Sequence, residues 1–266
     1  MIRAILSDAA FGSDPGRWPL PTAKTPGELW LRAVAAGGQG RYSCARAELA
    51  ELLRSESTGP LASLAQSTRG SLLRQLGCHV AARACDGRAL ALADGNTEAA
   101  TDALIGLAAD ALGVGRFAAS AALLGRAQTV LAAGLISSPP PPHRLAVRLA
   151  WVRAELAMSV GEGTQAVRYA ERAVNLALVA DPVSARHRVK SDVVLAAALC
   201  SAGVIERARV VADTALESTG RLGLVPLRWA LASLLVDIGS AAHTTPDVLA
   251  IRDACVDEVH RGGGRW

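Results

Sequence analysis

The stretch AELAMSVGEGTQAVRYAERA, from Ala154 to Ala173, decides the fold, and AAALCSAGVIERARVVADTA, from Ala196 to Ala215, repeats its pattern. Each reads as a helix-period run, a glycine and a second helix-period run. A small residue stands seven places before the glycine, an alanine five places after it and another twelve places after it. Two antiparallel helices joined by a tight turn approach closely only where side chains are small, and glycine frees the turn from the usual φ constraint. The first stretch therefore predicts a helical hairpin turning at Gly161, and the second a hairpin turning at Gly203.

Working outward, glycines at 40, 77, 115 and 239 sit between helix-period runs in the same way, giving successive spacings of 37, 38, 46, 42 and 36. The small residue seven places earlier is Ala33, Gly70, Ala108, Ala154, Ala196 and Ala232. Five places after the glycine come Ala45, Ala82, Ser120, Ala166, Ala208 and Thr244, and twelve places after the first five glycines Leu52, Ala89, Ala127, Ala173 and Ala215. One hairpin cannot bury its apolar face, so such units must stack.

Composition supports helix. Hydrophobic residues make up 51% of the 266 residues but aromatics only 3%, so Ala, Leu and Val carry the apolar load. Ala and Leu favour helix, and no sustained period-2 alternation argues for strands. The net charge of +4 comes almost wholly from arginine, with Lys24 and Lys190 the only lysines. That bias is expected of a GC-rich bacterial genome, an actinobacterial one included. The arginines are scattered among acids and form no basic stripe, which argues against nucleic acid as partner. Five cysteines, an odd number without metal-ligand spacing, suit reduced thiols in a cytoplasm. The N-terminus lacks the apolar core of a signal peptide. The longest strongly apolar run without charge, Val193 to Ile205, is too short for a membrane span.

Residues 1–27 read as an irregular Pro/Gly-rich lead-in, with Pro15, Pro19, Pro21 and Pro26, and with Trp18 pinned to the body. Thr25-Pro26-Gly27-Glu28 then has the cap, first-turn proline and acid of a helix start, and Asp181-Pro182 and Thr245-Pro246 repeat the cap-then-proline pattern. Three hairpins are expected in 28–138 and three in 143–260. Between them lies a polyproline segment, 139–142, either a stiff spacer or a loop between stacked units. Residues 261–266 read as a flexible tail.

The small–Gly–Ala–Ala columns, clearest in Gly70/Gly77/Ala82/Ala89, Ala154/Gly161/Ala166/Ala173 and Ala196/Gly203/Ala208/Ala215, are similar to the tetratricopeptide repeat. The resemblance spans about 28 to 260 and implies an all-α, right-handed α-solenoid of about six antiparallel helical hairpins. The units are longer than the family's ~34 residues and lack its closing proline, which leaves other hairpin-stacking architectures such as HEAT repeats open.

Chemical signatures are few. Gly113-Val114-Gly115 and Gly161-Glu162-Gly163 mimic part of a dinucleotide fingerprint, but both follow helical runs where a phosphate cradle needs a strand. Cys78, His79 and Cys85 have no second pair at metal-binding spacing, and the five histidines stand in no catalytic frame. The expectation is therefore no enzyme, no metal and no cofactor.

A sharper signal is that Trp30, Trp151 and Trp229 each lie ten residues before a turn glycine. In the family this chain resembles, first helices line a concave groove, so the column either faces that groove or plugs seams between hairpins. The groove reading adds Arg74, Arg148, Glu155, Lys190 and Asp237, a surface of aromatics and mixed charge suited to a peptide or helix of a partner protein. The function expected is a non-catalytic interaction scaffold or adaptor. Alternatives are a regulatory sensor binding a small molecule between hairpins and an enzyme of unidentified class. A helix of the same chain is a further candidate occupant of the groove, and the open ends of the stack admit a homo-oligomer.

Overall fold

The computed structural model describes residues 1–134, 140–179 and 183–266, and every regular element among them is a helix. They are α1 (Ile2–Phe11), α2 (Pro26–Gly38), α3 (Tyr42–Ser55), α4 (Gly59–Gln75), α5 (His79–Leu92), α6 (Thr97–Gly113) and α7 (Phe117–Gly134). The chain continues as α8 (Arg144–Ser159), α9 (Gly163–Val179), α10 (Ala185–Ser201), α11 (Ile205–Arg221), α12 (Val225–Ile238) and α13 (Thr245–Arg261). From α2 onward they pair into six antiparallel hairpins, stacked as an α-solenoid.

The six turn glycines all have positive φ, between 74° and 81°. In the first five hairpins the amide two residues into the turn reaches five residues back, as in Glu162 N to Ala157 O at 2.8 Å and Val204 N to Leu199 O at 2.9 Å. This αL glycine closure satisfies carbonyls that the helix end would orphan. The small column seven residues before each glycine is buried throughout, and Ala33, Ala108, Ala154, Ala196 and Ala232 are wholly so. Ala45, Ala82, Ser120, Ala166 and Ala208 of the second helices are equally inaccessible. Ala196→Leu is expected to lower the unfolding free energy by about 1–3 kcal/mol in urea titrations, because the added methylenes have no space at that crossing.

Four readings of the sequence are corrected. Residues 2–11 of the supposedly irregular lead-in are helical: Leu6, Ala9 and Ala10 of α1 pack on Leu31, Val34 and Ala35 of α2. In the sixth hairpin the turn is longer, and Thr244 is the N-cap of α13, with Thr245 and Pro246 inside the helix; its capping box with Asp247 closes the start. The buried positions there are Val248, Cys255 and Val259, the first two each four places after the residues that strict repetition selects, exposed Thr244 and half-buried Ile251. The tail is not loose. Gly262 O accepts from Ser43 N at 2.8 Å, and the Trp266 indole donates to Gln75 O at 2.7 Å. Asp237, expected at the groove, is exposed at the end of α12. The Asp181-Pro182 start lies outside the described residues, as do 137–139 ahead of the remaining prolines.

The lead-in after α1 is also tied down: Gln39 Nε2 donates to Pro15 O at 2.8 Å, and the Arg41 guanidinium lies 4.1 Å from the Trp18 ring centroid. Hairpins three and four pack directly, Leu124 and Leu131 meeting Leu145 and Leu149, so the proline segment does not split the array. The last hairpin then returns to the first: Val225, Cys255 and Val259 share a core with Leu29, Tyr42 and Leu49. Stacking curls the array until its two ends meet.

Candidate functional site

Closure leaves an internal cavity of about 510 Å³, with walls from all six first helices, α2, α4, α6, α8, α10 and α12. Of the eight residues expected at the groove, seven line it: Trp30, Arg74, Arg148, Trp151, Glu155, Lys190 and Trp229. Asp237 does not. It lies two turns beyond Trp229 and is rotated by about 80° around the helix, since each residue advances the chain by ~100°.

The three tryptophans combine the two roles weighed for them. Each is half-buried and each borders the cavity. Each also ties its helix to another part of the chain. Trp30 Nε1 donates to Thr68 Oγ1 on α4 at 3.0 Å, and Trp151 Nε1 to Ser191 Oγ on α10 at 2.9 Å. Trp151 stacks on His187 with centroids 5.3 Å apart, and Trp229 stacks on Trp266 at 4.2 Å. A ring anchored by its polar edge offers the cavity a fixed apolar surface at little entropic cost.

Charged side chains are paired along the wall. Arg74, on the last turn of α4, bonds both Asp86 of α5 and Asp110 of α6, the latter at 2.9 Å. Asp86 fits between the helices only because Gly70 and Gly106 lack side chains; a Cβ at either would collide with its carboxylate. Two buried carboxylates share one guanidinium, so Arg74 is held charged, while burial, opposed by Arg74, pushes Asp86 up to about 7. Arg144 bonds Glu98 at 2.6 Å and Asp102 at 3.3 Å, Arg148 also bonds Asp102, and Lys190 faces Glu155 at 3.4 Å.

The raised carboxyl has a sign. The folded chain holds the Asp86 proton more tightly than the unfolded chain, so this contribution to stability is present below about pH 4 and is lost as pH rises through about 7. Urea midpoints of the wild type between pH 5 and 8 should fall more steeply than those of Asp86→Asn. Parallel profiles would contradict the assignment.

Phe11, the last residue of α1, stands between Trp30 (5.4 Å) and His187 (6.2 Å), with Arg144 and Arg186 over its ring at 5.3 and 5.9 Å. This aromatic string borders both the cavity and a second one of about 1040 Å³, whose other walls include Arg3, Leu64, Tyr169 and Arg172. The smaller cavity is the better candidate because every repeat contributes to it. His187 is kept neutral by burial and by repulsion from Arg186, Arg144 and Arg148. Its Nδ1 lies 2.7 Å from Ser184 Oγ, the cap of α10, a local i,i+3 contact.

Sequence reasoning missed Phe11, Asp102, Arg144, Arg186, His187 and Trp266. Half of these had a signal. Seventeen residues before the turn glycines stand Glu98, Arg144 and Arg186, and thirteen before them Asp102, Arg148 and Lys190, so the register that aligns the tryptophans also aligns the ion pairs. Phe11 and Trp266 belong to no repeat. Cys78, His79 and Cys85 do not converge, and no group of three metal-ligating side chains forms among the described residues. Nor is any helix there long and apolar enough to cross a membrane.

Stacked hairpins around a shared cavity define the class: the chain is a helical-repeat protein. No family model matches it, and no curated protein does. Among solved structures it is similar to NprR in complex with its cognate peptide NprX, with a TM-score of 0.62 and 13% identity over 90% of this chain and 70% of that one. It is also similar to BtubC (BKLC) from P. vanneervenii, with a TM-score of 0.47 and 16% identity over 91% and 92% of the two chains. At this identity the NprR likeness shows the fold.

Proposed function

We propose that the chain is a non-catalytic, tetratricopeptide-like adaptor or sensor that holds a short peptide segment of a partner in the 510 Å³ cavity. The observation that carries this reading is the convergence of Trp30, Trp151 and Trp229, from three different hairpins, on one space edged by charges of both signs. Anchored aromatics beside polar groups are the composition of binding hot spots. The cavity favours a peptide end over a whole helix, because an α-helix with side chains is about 10–12 Å across. NprR, which shares the fold, is seen with a peptide, and this supports the same ligand class here.

The test is a thermal-shift screen of synthetic peptides of four to eight residues. A hit should raise the unfolding midpoint, since it binds only the folded state. Trp151→Ala should weaken that hit by about 2 kcal/mol or more, roughly thirtyfold, while the variant stays folded. Hits bound equally well by the variant would contradict the site. A second reading is a small molecule held between the hairpins, favoured by a cavity within the ~300–1,000 Å³ range of such pockets. It gains if metabolites stabilise the chain and peptides do not.

A further inference from the structure

Resting on that reading, we propose that Phe11 is a built-in stop that sets how many residues of the peptide the chain encloses. The two cavities are consecutive compartments along the first helices. On α2 the larger one is lined by Gly27, Trp30 and Leu31, and the smaller one by residues from Trp30 to Gly38. On α4 the wall passes from Leu61 and Leu64 to residues between Ser67 and Gln75, and on α6 from Glu98 to residues between Asp102 and Gly113. Phe11, Trp30, Arg144 and His187 border both, so the boundary falls on the aromatic string.

Three of these four residues belong to the walls, where each is bonded within the array. Trp30 is held by Thr68, His187 by Ser184, and Arg144 by Glu98 and Asp102. Phe11 alone comes from α1, ahead of the first hairpin. It is fixed from both sides: Leu6, Ala9 and Ala10 seat α1 on α2, and Ala185 N at the start of α10 donates to Gly12 O at 3.0 Å. The guanidinium groups of Arg144 and Arg186 over its ring add cation–π attraction. The ring is thus delivered from outside the repeats to the point where the two compartments join.

Helix α4 serves as a ruler. At ~1.5 Å per residue, the smaller compartment runs for about 12 Å from Ser67 to Gln75, and both together for about 21 Å from Leu61 to Gln75. An extended segment advances ~3.3 Å per residue, so the smaller compartment takes about four residues and the joined channel about six. Beyond the stop the walls include Leu61, Leu64, Leu131, Val147 and Leu149, so a fifth and sixth residue entering there should be apolar.

The experiment is equilibrium dialysis of the full chain against equimolar random-sequence pools of synthetic peptides of three, four, six and eight residues, with retained peptides quantified by mass spectrometry. Retention by the wild type should rise up to four residues and then level off, because further residues meet no wall. Phe11→Ala should retain hexapeptides at least about tenfold over tetrapeptides, the gain from burying a further apolar side chain, and the enriched sequences should carry that side chain at one end. Phe11→Tyr keeps the ring and should level off as the wild type does. A role limited to packing α1 on the array predicts that Phe11→Ala unfolds earlier and loses tetrapeptides and hexapeptides in proportion, with their ratio unchanged.

A wild type that already prefers hexapeptides by about tenfold, or a Phe11→Ala chain with the wild-type ratio, overturns the stop and leaves the peptide reading standing. Retention of no peptide of any length by either chain overturns both.

Discussion

Arg74→Met is expected to lower the unfolding free energy by about 3–5 kcal/mol at pH 8, because it strands Asp86 and Asp110 in the interior without their only shared cation. Both carboxylates are fully inaccessible, on α5 and α6, so water cannot replace the guanidinium unless the helices part. The penalty should shrink at pH 5. There Asp86, already pushed up to about 7 in the wild type, takes up a proton and one of the stranded charges disappears. Adding Asp86→Leu should not restore the loss, since Gly70 and Gly106 are fitted to a short side chain. Urea unfolding at the two pH values measures the effect, and a loss below about 1 kcal/mol at pH 8 would mean that the triad is a bystander.

Tyr42→Ala is the second large effect, at about 3–5 kcal/mol for loss of a wholly buried aromatic. Tyr42 starts α3, yet it is covered by the other end of the chain: a Cβ on Gly264 would lie 2.7 Å from its ring. Its hydroxyl donates to Gln75 Oε1 at 3.0 Å, on the helix whose carbonyl receives Trp266. An open stack would confine the damage to α2 through α5. In the closed array, hydrogen exchange should also accelerate in α13 and in the N-terminal half of α12, which begins at Val225, and protection there equal to that of the wild type would argue against closure.

What the sequence revealed and what it hid divide along physical lines. The hairpin turns were legible because a left-handed turn residue and close helix crossings impose local demands, met at Gly161, Ala154 and Ala166 without reference to the rest of the chain. The tryptophans were legible for the same reason, as a position fixed relative to each turn. The sixth hairpin misled because residues 240–243 lengthen its turn, which carries the buried positions four places on, from Thr244 and Ile251 to Val248 and Cys255. Helix α1 was hidden by the prolines behind it. It is short, and short helices draw their stability from packing, here on Leu31 and Val34. Trp266 was read as mobile because nothing local orders it; its partners, Trp229 and Gln75, are 37 and 191 residues away. Closure of the array is a property of its accumulated curvature, and no single repeat encodes that.

The most direct test of the binding-cavity account is a fluorine NMR titration of the chain labelled with 5-fluorotryptophan. Five indoles give five signals, assignable by single Trp→Phe substitutions. Adding the tightest peptide from the screen should move Trp151 and Trp229, and Trp30 with them, because all three border the cavity. Trp18, which lies outside it beneath Arg41, should stay in place. A saturable peptide that moved Trp18 while leaving Trp30, Trp151 and Trp229 unshifted would place binding elsewhere and contradict the account.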